Sequence, residues 1–211
     1  MSVIDHYQER LAVRHWGEWR TAKAAGEALL RAGDPGLLAV LAGLSHPDPR
    51  VRRGAADFMD HHADDRCVPK LLDVALHDPV PYVRRTALHA MSCQRCKPSP
   101  LTADLESHIG PAVLADPSPR VRWHSTGFAS TAQVVRIARE DPSPKVRLRA
   151  WSVLGERHGD PLALETLQQG LQDPDPDVRR QAHSGLRRLS PEYRQQAARR
   201  AREANLARVA P

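Results

Sequence analysis

The side chains best suited to chemistry in this sequence gather in two short stretches. Cys93 to Lys97 reads CQRCK, and residues 61 to 67 read HHADDRC. If the two stretches occupy corresponding edges of neighbouring structural units, His61, His62, Cys67, Cys93 and Cys96 could converge. Thiolates and imidazoles are tetrahedral zinc ligands, and a structural zinc site needs four of them. The candidate set is Cys67, Cys93, Cys96 and His61. A single CxxC without a matching second pair specifies such a site weakly. A redox dithiol or ordinary helix-end cysteines are the alternatives. Apart from zinc, no cofactor is expected.

Enzymatic motifs give no further lead. The chain has no Gly-rich phosphate loop, no HExxH and no GxSxG. Its eleven histidines are scattered. Four of them, His15, His77, His108 and His158, fall near helix ends or turns, where solvated histidine is common, and none has a nucleophile and carboxylate at meaningful spacing. A protein without catalysis of its own is expected. Three cysteines make no disulfide framework and fit a reducing compartment. No apolar run approaches the roughly 18 residues needed to cross a bilayer. The opening MSVIDHYQERLAVRHW is charged where a signal peptide would be apolar. The expectation is a cytoplasmic protein with no membrane partner. At 211 residues and 41% hydrophobic, the chain can bury a sizeable core.

The net charge of +6 is local. From Asp177 onward nine arginines face only Asp177, Glu192 and Glu203, which accounts for the whole excess. Arg187, Arg188, Arg194, Arg199, Arg200 and Arg202 are the candidate nucleic-acid contacts in this tail.

The elements that must position these groups are written as a repeat. HPDPRVR (46–52), DPVPYVR (78–84), DPSPRVR (116–122), DPSPKVR (141–147) and DPDPDVR (173–179) are five versions of one segment. The first proline stops the helix before it. Asp48, Ser118, Ser143 and Asp175 then suit the N-cap, and the second proline fits the first helical position. Val80 replaces the cap in the second copy, so that helix should start less firmly. Upstream segments such as PGLLAVLAGLSH, VPKLLDVALH, LESHIGPAVLA, VVRIARE and ALETLQQGLQ carry apolar residues at helical intervals. Downstream of each VR valine, the fourth position is small (Ala55, Ala87, Ser125, Ala150, Ala182) and the eighth apolar (Met59, Met91, Ala129, Leu154, Leu186). Positions zero, four and eight make one helical stripe, predicted to be the packed face.

The unit is therefore helix, sharp turn, helix. Its valines at 51, 83, 121, 146 and 178 step by 32, 38, 25 and 32 residues. A two-helix unit of this length must bury its faces against its neighbours. The turn and VR signature, over about residues 35 to 189, resembles HEAT-like repeats, including those of phycobilisome-lyase-type proteins. The resemblance implies an all-α, right-handed α-solenoid of about six helix pairs forming a single domain over 1–211. Residues 2–32 make a degenerate first pair, 35–189 five repeats, and 190–209 a basic C-terminal capping helix. It also implies that Arg52, Arg84, Arg122, Arg147 and Arg179 are fold residues, pairing with the turn aspartates Asp78, Asp116, Asp141 and Asp173 of adjacent units.

Position two lies about 200° from the start of the packed stripe and should face outward. The column reads Arg53, Arg85, Trp123, Leu148, Arg180, with His89 at position six of the second copy and Gly127 and Ser152 leaving room beside Trp123 and Leu148. In HEAT-like solenoids the second helices line the concave surface. Arg53, Arg85, His89, Trp123, Leu148, Arg149, Trp151 and Arg180 are accordingly the candidate contacts for a partner protein. Alternatively, the short 25-residue step buries Trp123 and Trp151 in a kink.

The leading function is a scaffold or adaptor that binds a partner protein. The first alternative is a nucleic-acid-binding protein related to the HEAT-like alkylation-repair DNA glycosylases, which use concave aromatic residues and a carboxylate. Here no acidic residue follows Trp123 within a turn, and Glu156 is the nearest candidate. The second alternative, an accessory role in chromophore attachment, rests only on the lyase-type resemblance.

Overall fold

The computed structural model of the chain describes residues 19–93, 97, 99–102, 104, 110 and 114–209. Among these residues the protein is all-α, with eleven α-helices and no strand. It divides into two compact units, Met1–Ser125 and Thr126–Pro211.

The first unit contains α1 (Trp19–Arg31), α2 (Asp34–Gly43), α3 (Pro49–His62), α4 (Val68–His77), α5 (Pro81–Ser92) and α6 (Pro119–Ser125), with a 3-10 turn over Asp65–Cys67. The second contains α7 (Thr131–Glu140), α8 (Pro144–Leu154), α9 (Pro161–Gly170), α10 (Pro176–Leu189) and α11 (Pro191–Val209). Of the predicted first helix pair, only α1 lies within the described residues. Most of LESHIGPAVLA lies outside them.

Each second helix starts at the second proline of a repeat, as the missing amide predicts. Asp48 and Asp175 cap through their carboxylates, accepting from the backbone N–H groups of Arg50 and Asp177. Ser143 occupies the N-cap with extended backbone but makes no side-chain cap bond, which departs from the expectation. Val80 also makes none, as predicted, and packs instead against the core of the first unit.

The zero, four and eight stripe is the packed face. Val51, Ala55 and Met59 of α3, Val83, Ala87 and Met91 of α5, Val146, Ala150 and Leu154 of α8, and Val178, Ala182 and Leu186 of α10 are all buried. In the first unit α3 packs on α5 and α5 on α4, so consecutive second helices lie side by side over the first helices. In the second unit α8 and α10 approach closely: a Cβ added at Gly155 would lie 2.7 Å from Gly185 Cα. Gly33, at φ 72°, makes the left-handed turn between α1 and α2.

Candidate functional site

The first question is which arginines are free to act. The VR arginines are not, because each is bound back to its own turn. Arg52 donates to the His46 carbonyl at 2.9 Å, and Arg84, Arg122, Arg147 and Arg179 donate to the carbonyls of Asp78, Asp116, Asp141 and Asp173, each at 2.7 Å. This bond, six residues back, locks turn to helix in all five copies. The turn aspartates in addition accept from the backbone N–H two residues on, and in the first copy His46 Nδ1 takes that part, accepting from Asp48 N–H at 3.0 Å. Sequence reasoning found the arginines but not the carbonyl bonds, because residue identities do not reveal backbone acceptors.

The expected ladder between units forms twice within the first unit. Arg52 Nε meets Asp78 Oδ2 at 2.6 Å, and Arg84 Nε meets Asp116 Oδ2 at 2.7 Å, both two-pronged. Each pair holds the arginine pKa above its ordinary value, chiefly through the carboxylate hydrogen bond. In the second unit Arg147 makes no ion pair with Asp173 among the described residues.

Position two is where side chains reach solvent. Arg53, Arg85 and Arg180 are exposed, and Trp123 is 45% exposed. Tyr82 is 38% exposed and was not singled out from the sequence; it lies beneath the Arg53 guanidinium, 6.0 Å from ring centroid to Cζ. A depression of about 420 Å³ is lined by Pro81, Tyr82 and Arg85 of α5 and by Ser118, Pro119 and Arg120 at the start of α6. The first unit thus presents an aromatic and basic face on its second helices.

The corresponding positions of the second unit are less available. Leu148 and Arg149 are half-buried, Arg149 lying 3.7 Å from the Glu156 carboxylate, and exposed Arg180 pairs with Asp177. Trp151 is a correction. It is only 4% exposed, with its indole packed where a Cβ on Gly170 would sit, so it belongs to the core of its unit and contributes no exposed surface. The kink alternative is likewise corrected for Trp123, which is exposed.

The thiol and imidazole cluster assembles differently from its expected ligand set. Cys67 is buried in the 3-10 turn with its Sγ 3.9 Å from Asp64 Oδ1, and burial raises its thiol pKa above the ordinary value. It does not join the others. Cys96 lies outside the described residues. Among the described residues, the side chains that meet are Asp60, His89 and Cys93, with one donor atom of each within 4.8 Å of the others. His61 stands beside them, its Nε2 3.7 Å from Asp60 Oδ2. Histidine 89 and Cys93 share a helix face by their four-residue spacing, which is legible in the sequence. Asp60 joins them only because α3 packs on α5.

The basic tail forms α11, packed on α10. Arg187, Arg188, Arg194, Arg199, Arg200 and Arg202 are all exposed. Arg199 pairs with Glu203 at 2.8 Å, and Arg194 donates to the Arg187 carbonyl at 3.1 Å.

These elements define a helical-repeat protein. A family profile described as HEAT repeats matches residues 11–92 and 131–208, more than half of the chain. The chain belongs to the HEAT-repeat family. Its fold is similar to the X-ray structure of the Escherichia coli protein YibA, at 18% identity and a TM-score of 0.63, over 88% of this chain and 70% of that one. The crystal structure of an engineered protein matches with a TM-score of 0.48 at 16% identity, over 90% of this chain and 99% of that one. No curated protein matches the sequence.

Proposed function

We propose that this protein is a non-catalytic binding scaffold that recognises a partner protein through the outward face of its second helices. The HEAT-repeat resemblance assigns that face to the concave surface. One observation carries the reading: the position-two column of the first unit leaves Trp123 exposed in line with exposed Arg85 and Arg53. The remaining invariant positions of the same helices are committed to packing or to turn locking. Tryptophan, tyrosine and arginine dominate binding hot spots because they combine large apolar area with directional donors. A basic face with aromatic anchors suits a partner segment that offers acidic side chains around an apolar residue. HEAT repeats typically mediate protein interactions, which supports this class of partner.

The test is a pull-down with the full chain, comparing the native protein with Trp123→Ala, Arg85→Glu and Leu38→Ala. Leu38 is a large exposed apolar residue on a first helix and serves as the control. Trp123→Ala should weaken capture at least about thirtyfold, as for a central hot spot, while Leu38→Ala leaves it intact. Identical partners from native and Trp123→Ala protein overturn the assignment. Salt-sensitive retention on DNA that depends on residues 190–211, together with partner capture that Trp123→Ala leaves unchanged, selects the nucleic-acid reading instead. The glycosylase form of that reading is weakened already, since Trp151 is buried and Glu156 faces Arg149.

A further inference from the structure

The geometry points to a binding site for a borderline divalent transition ion of the zinc class, held by Asp60, His89 and Cys93 at the C-terminal edge of α3 and α5. This ligand set differs from the cysteine-rich one that the sequence suggests. It shares His89 with the candidate partner-binding face but does not involve that face's tryptophan.

Three observations support it. The first is spacing. Tetrahedral ligands about 2.0–2.3 Å from a metal lie about 3.4–3.6 Å from one another. His89 Nε2 and Asp60 Oδ2 are 3.6 Å apart, too long for a hydrogen bond and right for two ligands of one ion. The oxygen, nitrogen and sulfur donors of the three residues all fall within 4.8 Å. This mixture suits a borderline cation and disfavours calcium or magnesium, which take oxygen shells.

The second is an unsatisfied carboxylate. Asp60 is 6% exposed, and its Oδ1 is buried without a hydrogen-bond partner. Among the described residues its Oδ2 is approached by imidazoles at 3.6 and 3.7 Å. A buried carboxylate is costly unless it is paired and hydrogen-bonded or binds a metal. The third is the local field. Asp60 lies in the last turn of α3 and Cys93 is the C-cap of α5, so two helix C-termini present their partial negative charge at one place.

The charge that answers this field without metal is Lys97. Its ammonium is fully buried, donates to the Cys93 carbonyl at 2.7 Å and lies 3.8 Å from Asp60 Oδ1. It makes an ion-pair distance and no hydrogen bond to the carboxylate. An incoming divalent ion coordinates Oδ2 and meets the repulsion of the Lys97 ammonium beside Oδ1, and the Cys93 thiol gives up its proton to solvent on binding. His61 Nε2 lies 3.7 Å from the same carboxylate but is not among the three residues whose donor atoms converge, so solvent would complete the coordination.

The experiment is titration of the reduced, metal-stripped full chain with Co²⁺, followed by the thiolate-to-cobalt charge-transfer band and by competition with Zn²⁺. One equivalent should bind in the native chain and in Cys67→Ser. Asp60→Asn and His89→Ala should bind at least roughly tenfold more weakly, and Cys93→Ser should lose the band. Lys97→Met should bind more tightly than native, an outcome that a merely structural lysine does not give. Circular dichroism confirms that each variant is folded, and Asp60→Asn keeps the test alive if Cys93→Ser does not fold. No charge-transfer band in the native chain overturns the proposal, as does a band that survives Cys93→Ser or is abolished by Cys67→Ser.

Discussion

At the residue scale, burial separates ion pairs that look alike in sequence. Arg84 and Asp116 are both buried, and Arg84 also locks its own turn through the Asp78 carbonyl. Truncating Arg84 to alanine strands a buried carboxylate and should cost about 3–5 kcal/mol. Arg50→Ala breaks a pair with Asp48 whose arginine is solvent-exposed, and should cost less than about 1 kcal/mol. Urea unfolding of the two variants measures the contrast, and equal losses would show that the repeat is not held by its buried pairs. A second residue-scale effect concerns His62, stacked on Phe58 at 4.3 Å between centroids. Burial first, and then the neighbouring His61, pull its pKa below the ordinary 6.5. The unfolded chain therefore takes up a proton before the folded one does. Stability from neutral His62 is present above about pH 6.5 and is lost as pH falls toward the lower folded pKa. The native-minus-His62→Gln difference in melting temperature should shrink across that window. A difference that stays flat with pH counts against it.

At the element scale, helix starts and helix contacts make different demands. Asp175 accepts from the Asp177 N–H, and Asp175→Ala should cost about 1 kcal/mol. Ser143 has the same place in its repeat but makes no cap bond, so Ser143→Ala should cost no more than a few tenths, roughly. Thermal or urea unfolding distinguishes the two, and equal losses mean that Ser143 caps in solution. Between helices, Gly155 and Gly185 let α8 and α10 approach until their backbones nearly touch. Gly155→Ala puts a methyl 2.7 Å from Gly185 Cα, where no side chain can turn aside, and should cost about 1–3 kcal/mol. An alanine tolerated without loss would show that the two helices can part at no cost.

At the scale of the whole molecule, the net charge of +6 equals the arginine excess of the segment from Asp177 onward. Nearly every side chain of α11 with a described environment is exposed, so its charge is offered to solvent and spent on little inside the fold. Low-salt retention on a polyanion column should follow from the segment from Asp177 onward, of which α11 carries half the excess (5 − 2 = +3), and weaken steeply as salt rises. Removing residues 190–211 should weaken the retention markedly while leaving partner capture through Trp123 unchanged. Retention undiminished by the truncation would relocate the basic surface to the repeats.

The sequence by itself determined the helix-turn-helix repeat. Proline chemistry and the three- and four-residue periods are local, so Val51, Ala55 and Met59 could be placed in the core before any coordinates. The same periodicity put Arg53, Arg85 and Trp123 outside, because one packed stripe fixes the opposite face of a helix. Tertiary structure alone decided the rest. Trp151 lies five residues past Val146, beside the packed stripe, and only the closeness of Gly170 shows that it is buried. Asp60 sits 29 residues before His89, and nothing in either segment joins them. Their meeting with Cys93 depends on the packing of α3 against α5, which is a property of two surfaces together and is written in neither helix separately.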